Sequence, residues 1–176
     1  MSSRVLGDHT RSVLTVERLN VTYLTRDGAV PAVRDVSFTI GQGETFGLVG
    51  ESGSGKSTIA LAVMNYLGVN ARVGGAVRYD GQDVLTLSAE ELRRLRGAKI
   101  AMVYQDPMSS LNPSISVGDQ IGEVLRLHQG ISRREASQRA MEMMRRTQIP
   151  DPEINARRYP HQLSGGMQQR VVISMA

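Results

Sequence analysis

Residues 50 to 58, GESGSGKST, set Gly50, Gly55, Lys56 and Ser57 at the spacing G-x-x-x-x-G-K-[ST]. That spacing suits one chemistry. Glycines let a backbone curl until its N–H groups converge on phosphate oxygens, and a helix starting at the lysine adds the positive end of its dipole. The lysine can then reach the β- and γ-phosphates of a nucleotide, and the serine hydroxyl stands where it can ligate Mg²⁺. The stretch predicts a nucleotide cradle lined by Gly50, Ser52, Gly53, Ser54, Gly55, Lys56, Ser57 and Thr58. Of the 21 Lys and Arg residues only Lys56 and Lys99 are lysine. In a chain that uses arginine wherever any cation will serve, a lysine at this position is itself a signal.

A second string, LSGGMQQR from Leu163 to Arg170, offers another anion site. Ser164 is a good N-cap, and Gly165 and Gly166 bare the first-turn N–H groups of the helix expected to follow. Other chemistries find little support. The chain has no Cys, which removes disulfides, thiolate metal sites and cysteine nucleophiles together. His9, His128 and His161 read as surface or packing histidines. The net charge is +4, but both signs are scattered and only short pairs such as Arg133-Arg134, Arg145-Arg146 and Arg157-Arg158 cluster, so no nucleic-acid partner is expected. No apolar run approaches the ~18 residues of a membrane-spanning helix, and the opening lacks the apolar core of a signal peptide, so a cytoplasmic protein is expected.

These residues need a scaffold of strand, loop and helix. The first third alternates β-type runs with turns: VLTVERLNVTYL, the turn TRDGAV, AVRDVSFTI, then TFGLVG, which reads as a buried strand feeding the glycine loop. KSTIALAVMNYLG after it reads as a buried helix. GGAVRYDGQDV is a further β-type segment with a turn at Asp80-Gly81. Ser88 with Glu91, and Ser132 with Glu135, stand at capping-box spacing and open two helices. Between those helices, Ile100 to Tyr104 reads as a strand entering a Pro-bounded polar loop, and a helix is expected around VGDQIGEVLRLH.

With LSGGMQQR following the phosphate loop, the chain resembles the ATP-binding-cassette (ABC) ATPases from about Leu14 onward. The resemblance implies an α/β fold: a P-loop NTPase with a RecA-like core, an N-terminal antiparallel β subdomain and a helical subdomain carrying the signature string. Residues 1–12 would be a polar lead and 13–176 a partial nucleotide-binding domain. Within it, about 13–104 would hold the β subdomain and P-loop core, and about 105–176 the glutamine loop, helical subdomain and start of the signature helix. ATP and Mg²⁺ are the implied cofactors. Tyr23 matches the aromatic residue that stacks on adenine, and Gln105 the glutamine that ligates Mg²⁺ or the attacking water and senses the membrane partner. Lys56 and Gln105 would thus serve catalysis, and Ser57 and Gln105 the metal. Ser164, Gly165 and Gly166 would contact the γ-phosphate held by a partner domain, two domains sandwiching two ATP molecules. Met167 departs from the common string, which has Gln there.

QDPMSSLNP and YPHQLSGGMQQR resemble the branch that energises import of di- and oligopeptides or nickel. The implied partners are a second, identical or sister, ABC ATPase domain, two membrane permease subunits and, indirectly, an extracytoplasmic solute-binding protein, with the subunit peripheral on the cytoplasmic side of the membrane. The family's next element, an apolar strand ending in Asp-Glu, and the loop His after it are not found in residues 1–176. The expectation is therefore a subunit incomplete at its C-terminus, whose parent hydrolyses ATP while the 176 residues bind it without turnover. The alternative is a natural short form that binds ATP without hydrolysis and regulates a partner.

Overall fold

The computed structural model describes residues 11–176. His9 and all but the last two residues of the polar lead expected over 1–12 lie outside the described residues. The chain divides into two compact units, one running to Leu92 and the other starting at Arg93.

The first unit is built on an antiparallel sheet of β1 (Ser12–Thr25), β2 (Gly28–Gly41), β3 (Ala71–Tyr79) and β4 (Gln82–Asp83), in the order β2-β1-β3-β4. β1 is central because it carries the most apolar inward face: Val16, Leu19 and Val21 are buried with Val33, Val77 and Val84. Strict alternation would send Val16 and Leu19 to opposite faces. A bulge corrects this, with a register shift between Val16 and Leu19 and Arg18 at φ 46°. Side chains stabilise the bulge: Ser37 Oγ accepts from Arg18 N at 2.8 Å, and Asn20 donates to Arg18 O at 2.7 Å and accepts from Asp35 N at 3.0 Å. The Asp80-Gly81 turn forms as expected, both residues in the left-handed region at φ 50° and 85°. That geometry matches the strand twist on either side.

α1 (Lys56–Val63) buries Ile59 and Ala62. It is shorter than the run KSTIALAVMNYLG suggests. Asn65 turns to φ 47° and its side chain donates to Val84 O at 3.2 Å, which stops the helix.

Two expected strands are corrected. Neither Thr45 to Val49 nor Ile100 to Tyr104 is a strand; both are irregular. Val49 is 94% exposed, and Phe46, Leu48, Val103 and Tyr104 are also exposed. An apolar run becomes a buried strand only when neighbours satisfy its N–H and C=O groups, and among the described residues no strand pairs with either run. Phe46 instead stacks on Phe38 of β2, ring centroids 4.8 Å apart.

α2 (Ala89–Ala98) opens with the expected capping box: Glu91 N donates to Ser88 Oγ at 3.3 Å and Ser88 N to the Glu91 carboxylate at 2.8 Å. The boundary between the units falls inside this helix. The second unit holds α3 (Val117–Gln129), α4 (Arg133–Arg146), α5 (Pro152–Asn155) and α6 (Gly165–Met175). Ser116, Ser132 and Ser164 cap α3, α4 and α6. At α4 the Glu135 carboxylate pairs with Arg139 at 2.9 Å. One core joins Leu111, Val117, Ile121, Ala140, Met144, Ile149, Leu163, Val171 and Val172.

Candidate functional site

The glycine loop belongs to the first unit. Ser54 N donates to Glu51 O at 3.2 Å, closing a turn, and Gly53 and Gly55 take φ 79° and 89°. A Cβ on Gly55 would stand 2.6 Å from Ala32 O of β2, so the left-handed geometry and this close approach both demand glycine. Lys56 arches back over the loop: its Nζ donates to Gly50 O at 2.8 Å, Glu51 O at 2.6 Å and Ser54 Oγ at 3.3 Å. α1 begins with no side-chain cap and no acidic residue in its first turn. Its leading N–H groups are therefore not claimed by a capping side chain, and nothing negative opposes an anion there. Lysine, bare N–H groups and the Ser52, Ser54, Ser57 and Thr58 hydroxyls form a donor set that fits nucleotide phosphates. Tyr23 is half-buried on β1, paired with Val30 of β2 and Ala71 of β3.

The second string lies in the other unit. Ser164 Oγ accepts from Met167 N at 3.4 Å, and α6 starts at Gly165. Gly165 and Gly166 are exposed, and a Cβ on either would meet nothing within 4 Å. Each glycine nonetheless loses more backbone freedom on folding than an alanine would. Packing among the described residues does not ask for them; a ligand or surface approaching the backbone closely would. Met167 is partly buried against the helical core, so the departure at this position has a packing role.

Gln105 is exposed in the same unit. Beyond it the loop is stiffened: Asp106 accepts from Met108 N at 3.0 Å and from Ser109 Oγ at 2.8 Å. His161 stacks on Tyr159 at 5.8 Å, and the His128 ring packs directly on Gly97, both surface or packing roles. Among the described residues no cluster of three His, Asp or Glu could hold a metal. The oxygens of Ser57 and Gln105 are hard donors of the kind Mg²⁺ takes. Among the described residues no helix is long and apolar enough to cross a membrane.

Two buried glutamines were not evident in the sequence. Gln120 donates to Asn112 O and Ile115 O, each at 2.9 Å, and accepts from Asn112 N at 2.9 Å. Gln168 donates to Pro160 O at 2.8 Å and Leu163 O at 3.1 Å. The available signal was helical spacing. Gln168 lies three and four residues before Val171 and Val172, and Gln120 lies beside Ile121 and three after Val117, so both fall on apolar faces.

Comparison with known proteins bears on both strings. The family described as ABC transporter matches residues 33–176. The oligopeptide transport ATP-binding protein OppD of Salmonella typhimurium is 48% identical over 164 residues, covering 93% of this chain and 49% of that protein. The dipeptide transport ATP-binding protein DppD of Bacillus subtilis is 46% identical over 166 residues, 93% of this chain and 50% of that protein. The chain thus spans about half the length of these curated relatives. Among solved structures, the dimeric post-hydrolysis ATP-binding cassette MJ0796, bound to ADP and Pi, superimposes with a TM-score of 0.80 at 28% identity, covering 92% of this chain and 68% of that one.

Proposed function

Because this chain belongs to the ABC transporter family, we propose that it is the nucleotide-binding part of an ATPase subunit that drives import of peptides or a related small solute. One observation carries the reading: a lysine-bearing phosphate loop and a second, glycine-bared helix N-terminus occur in one chain. The solute class rests on relatives named for oligopeptide and dipeptide transport.

Residues 13–104 supply the β subdomain and P-loop core, and 105–176 the glutamine loop, helical subdomain and signature helix. Tyr23 offers an aromatic face to adenine. The N–H groups of Gly50 to Thr58 wrap the phosphates, and Lys56 exchanges its bonds to the Gly50 and Glu51 carbonyls for phosphate oxygens. Ser57 and Gln105 would each offer Mg²⁺ an oxygen ligand. When bound, Mg²⁺ would supply positive charge against the phosphates during phosphoryl transfer. Ser164, Gly165 and Gly166 receive the γ-phosphate presented by a partner ATPase domain, which makes closure of the pair dependent on ATP. Two permease subunits use that closure, and a solute-binding protein delivers cargo to them from the other side. The subunit is peripheral on the cytoplasmic face.

The test is steady-state ATP hydrolysis by the complete protein beside its Lys56→Ala variant. Hydrolysis lost with the lysine supports the assignment, and hydrolysis undiminished refutes it.

A further inference from the structure

We propose that Gln168 is a positioning residue for the signature loop: its side-chain amide holds the Pro160 to Leu163 turn so that Ser164 and the glycine N–H groups after it present a fixed face. The inference rests on the function proposed above for Ser164 to Gly166.

The bonds lie in a closed loop of structure. Gln168 is only 6% exposed and belongs to the second turn of α6. Its Nε2 reaches back past the cap to Pro160 O at 2.8 Å and Leu163 O at 3.1 Å. Those carbonyls belong to the last residues before Ser164, in and after a 3-10 turn at Pro160–Gln162. The turn is closed at its other end, where Tyr159 N donates to the Gln162 side chain at 2.9 Å. Leu163 is buried in the helical core. The upstream chain is fixed too, since Val117 N and Gly118 N of α3 donate to Arg158 O and Ala156 O at 2.9 Å each.

Without Gln168 the cap is weakly placed. The Ser164 Oγ to Met167 N bond is long at 3.4 Å, and Gly165 and Gly166 bring no side chain to anchor the turn. The glutamine amide supplies two donors aimed at the loop's own carbonyls, so the loop and the helix it opens move as one piece. What this role needs is a donor, not the glutamine shape. Arginine brings donors on a longer stem, whereas methionine has similar length and none.

The experiment compares wild-type complete protein with Gln168→Met and Gln168→Arg, reading turnover per folded molecule, ATP affinity, and hydrogen exchange at the Gly165 to Met167 amides. The expected result is that Gln168→Met lowers kcat about tenfold with ATP affinity within about twofold and exchange accelerated, while Gln168→Arg stays close to wild type in all three. Wild-type kcat and exchange in Gln168→Met would overturn the proposal, as would equal losses in both variants. A wild type without ATPase activity would sink the proposed function instead, and accelerated exchange confined to Gln168→Met would still support the positioning role.

Discussion

The N-termini of α1 and α6 both open on glycine, and their surroundings differ. At α1 the glycine is demanded from within: Gly55 sits at φ 89° with Ala32 O where a Cβ would go, and no side chain caps the helix. At α6 the cap is an ordinary serine, and Gly165 and Gly166 face open space. At the first terminus the glycine is fixed by contacts within its own unit. At the second terminus no contact among the described residues asks for glycine, which is what the proposed approach of a partner's nucleotide would require. The difference separates residues that build a site from residues that offer one, and substitutions can test the separation.

Lys56→Ala carries the largest expected effect. It removes the one side-chain cation of residues 50–58, and turnover of the complete protein should fall roughly a hundredfold or more. An ATPase assay checks this. Gly55→Ala comes next, because a left-handed alanine driven against a backbone carbonyl should cost about 2 kcal/mol or more. Denaturant unfolding should show the loss, together with lost nucleotide binding. Gly166→Ala should do the reverse at the other terminus. Stability should stay level or rise by up to about 1 kcal/mol, while turnover falls. A destabilised Gly166→Ala would mean that this glycine serves its own chain, and the contrast would collapse.

The smallest effect is one of pH. The Glu153 carboxyl is held below the usual carboxylate range, first by a hydrogen bond from its own backbone N–H and then by Arg145. A depressed folded value means that the stabilisation is present above the unfolded value and disappears as pH falls through the folded one. Melting temperatures of wild type and Glu153→Gln should therefore converge on acidification below the ordinary carboxylate pKa. The gap at neutral pH should be small because the pair is exposed.

Much of this was legible in local residues. The Asp80-Gly81 turn and the Ser88 and Ser132 helix starts follow from nearest-neighbour chemistry, and each appears where spacing puts it. Thr45 to Val49 and Ile100 to Tyr104 failed as strands because pairing is a property of neighbours, which an apolar run does not carry in itself. The burial of Gln120 and Gln168 is not legible locally, because glutamine in a polar string carries no mark of it. Their burial depends on the far ends of their amides finding carbonyls eight residues away in sequence, at Asn112 and Pro160. The open space around Gly165 and Gly166 is likewise invisible until the fold is known, yet it is the observation that most separates the two termini.

The most direct measurement is the pair of constants, ATP affinity and turnover, for Ser164→Arg in the complete protein assembled with its partners. If α6 serves nucleotide bound on another domain, affinity at the chain's own phosphate loop stays within about twofold while turnover falls by about tenfold or more. Undiminished turnover, or an affinity that falls in step with it, would contradict the account.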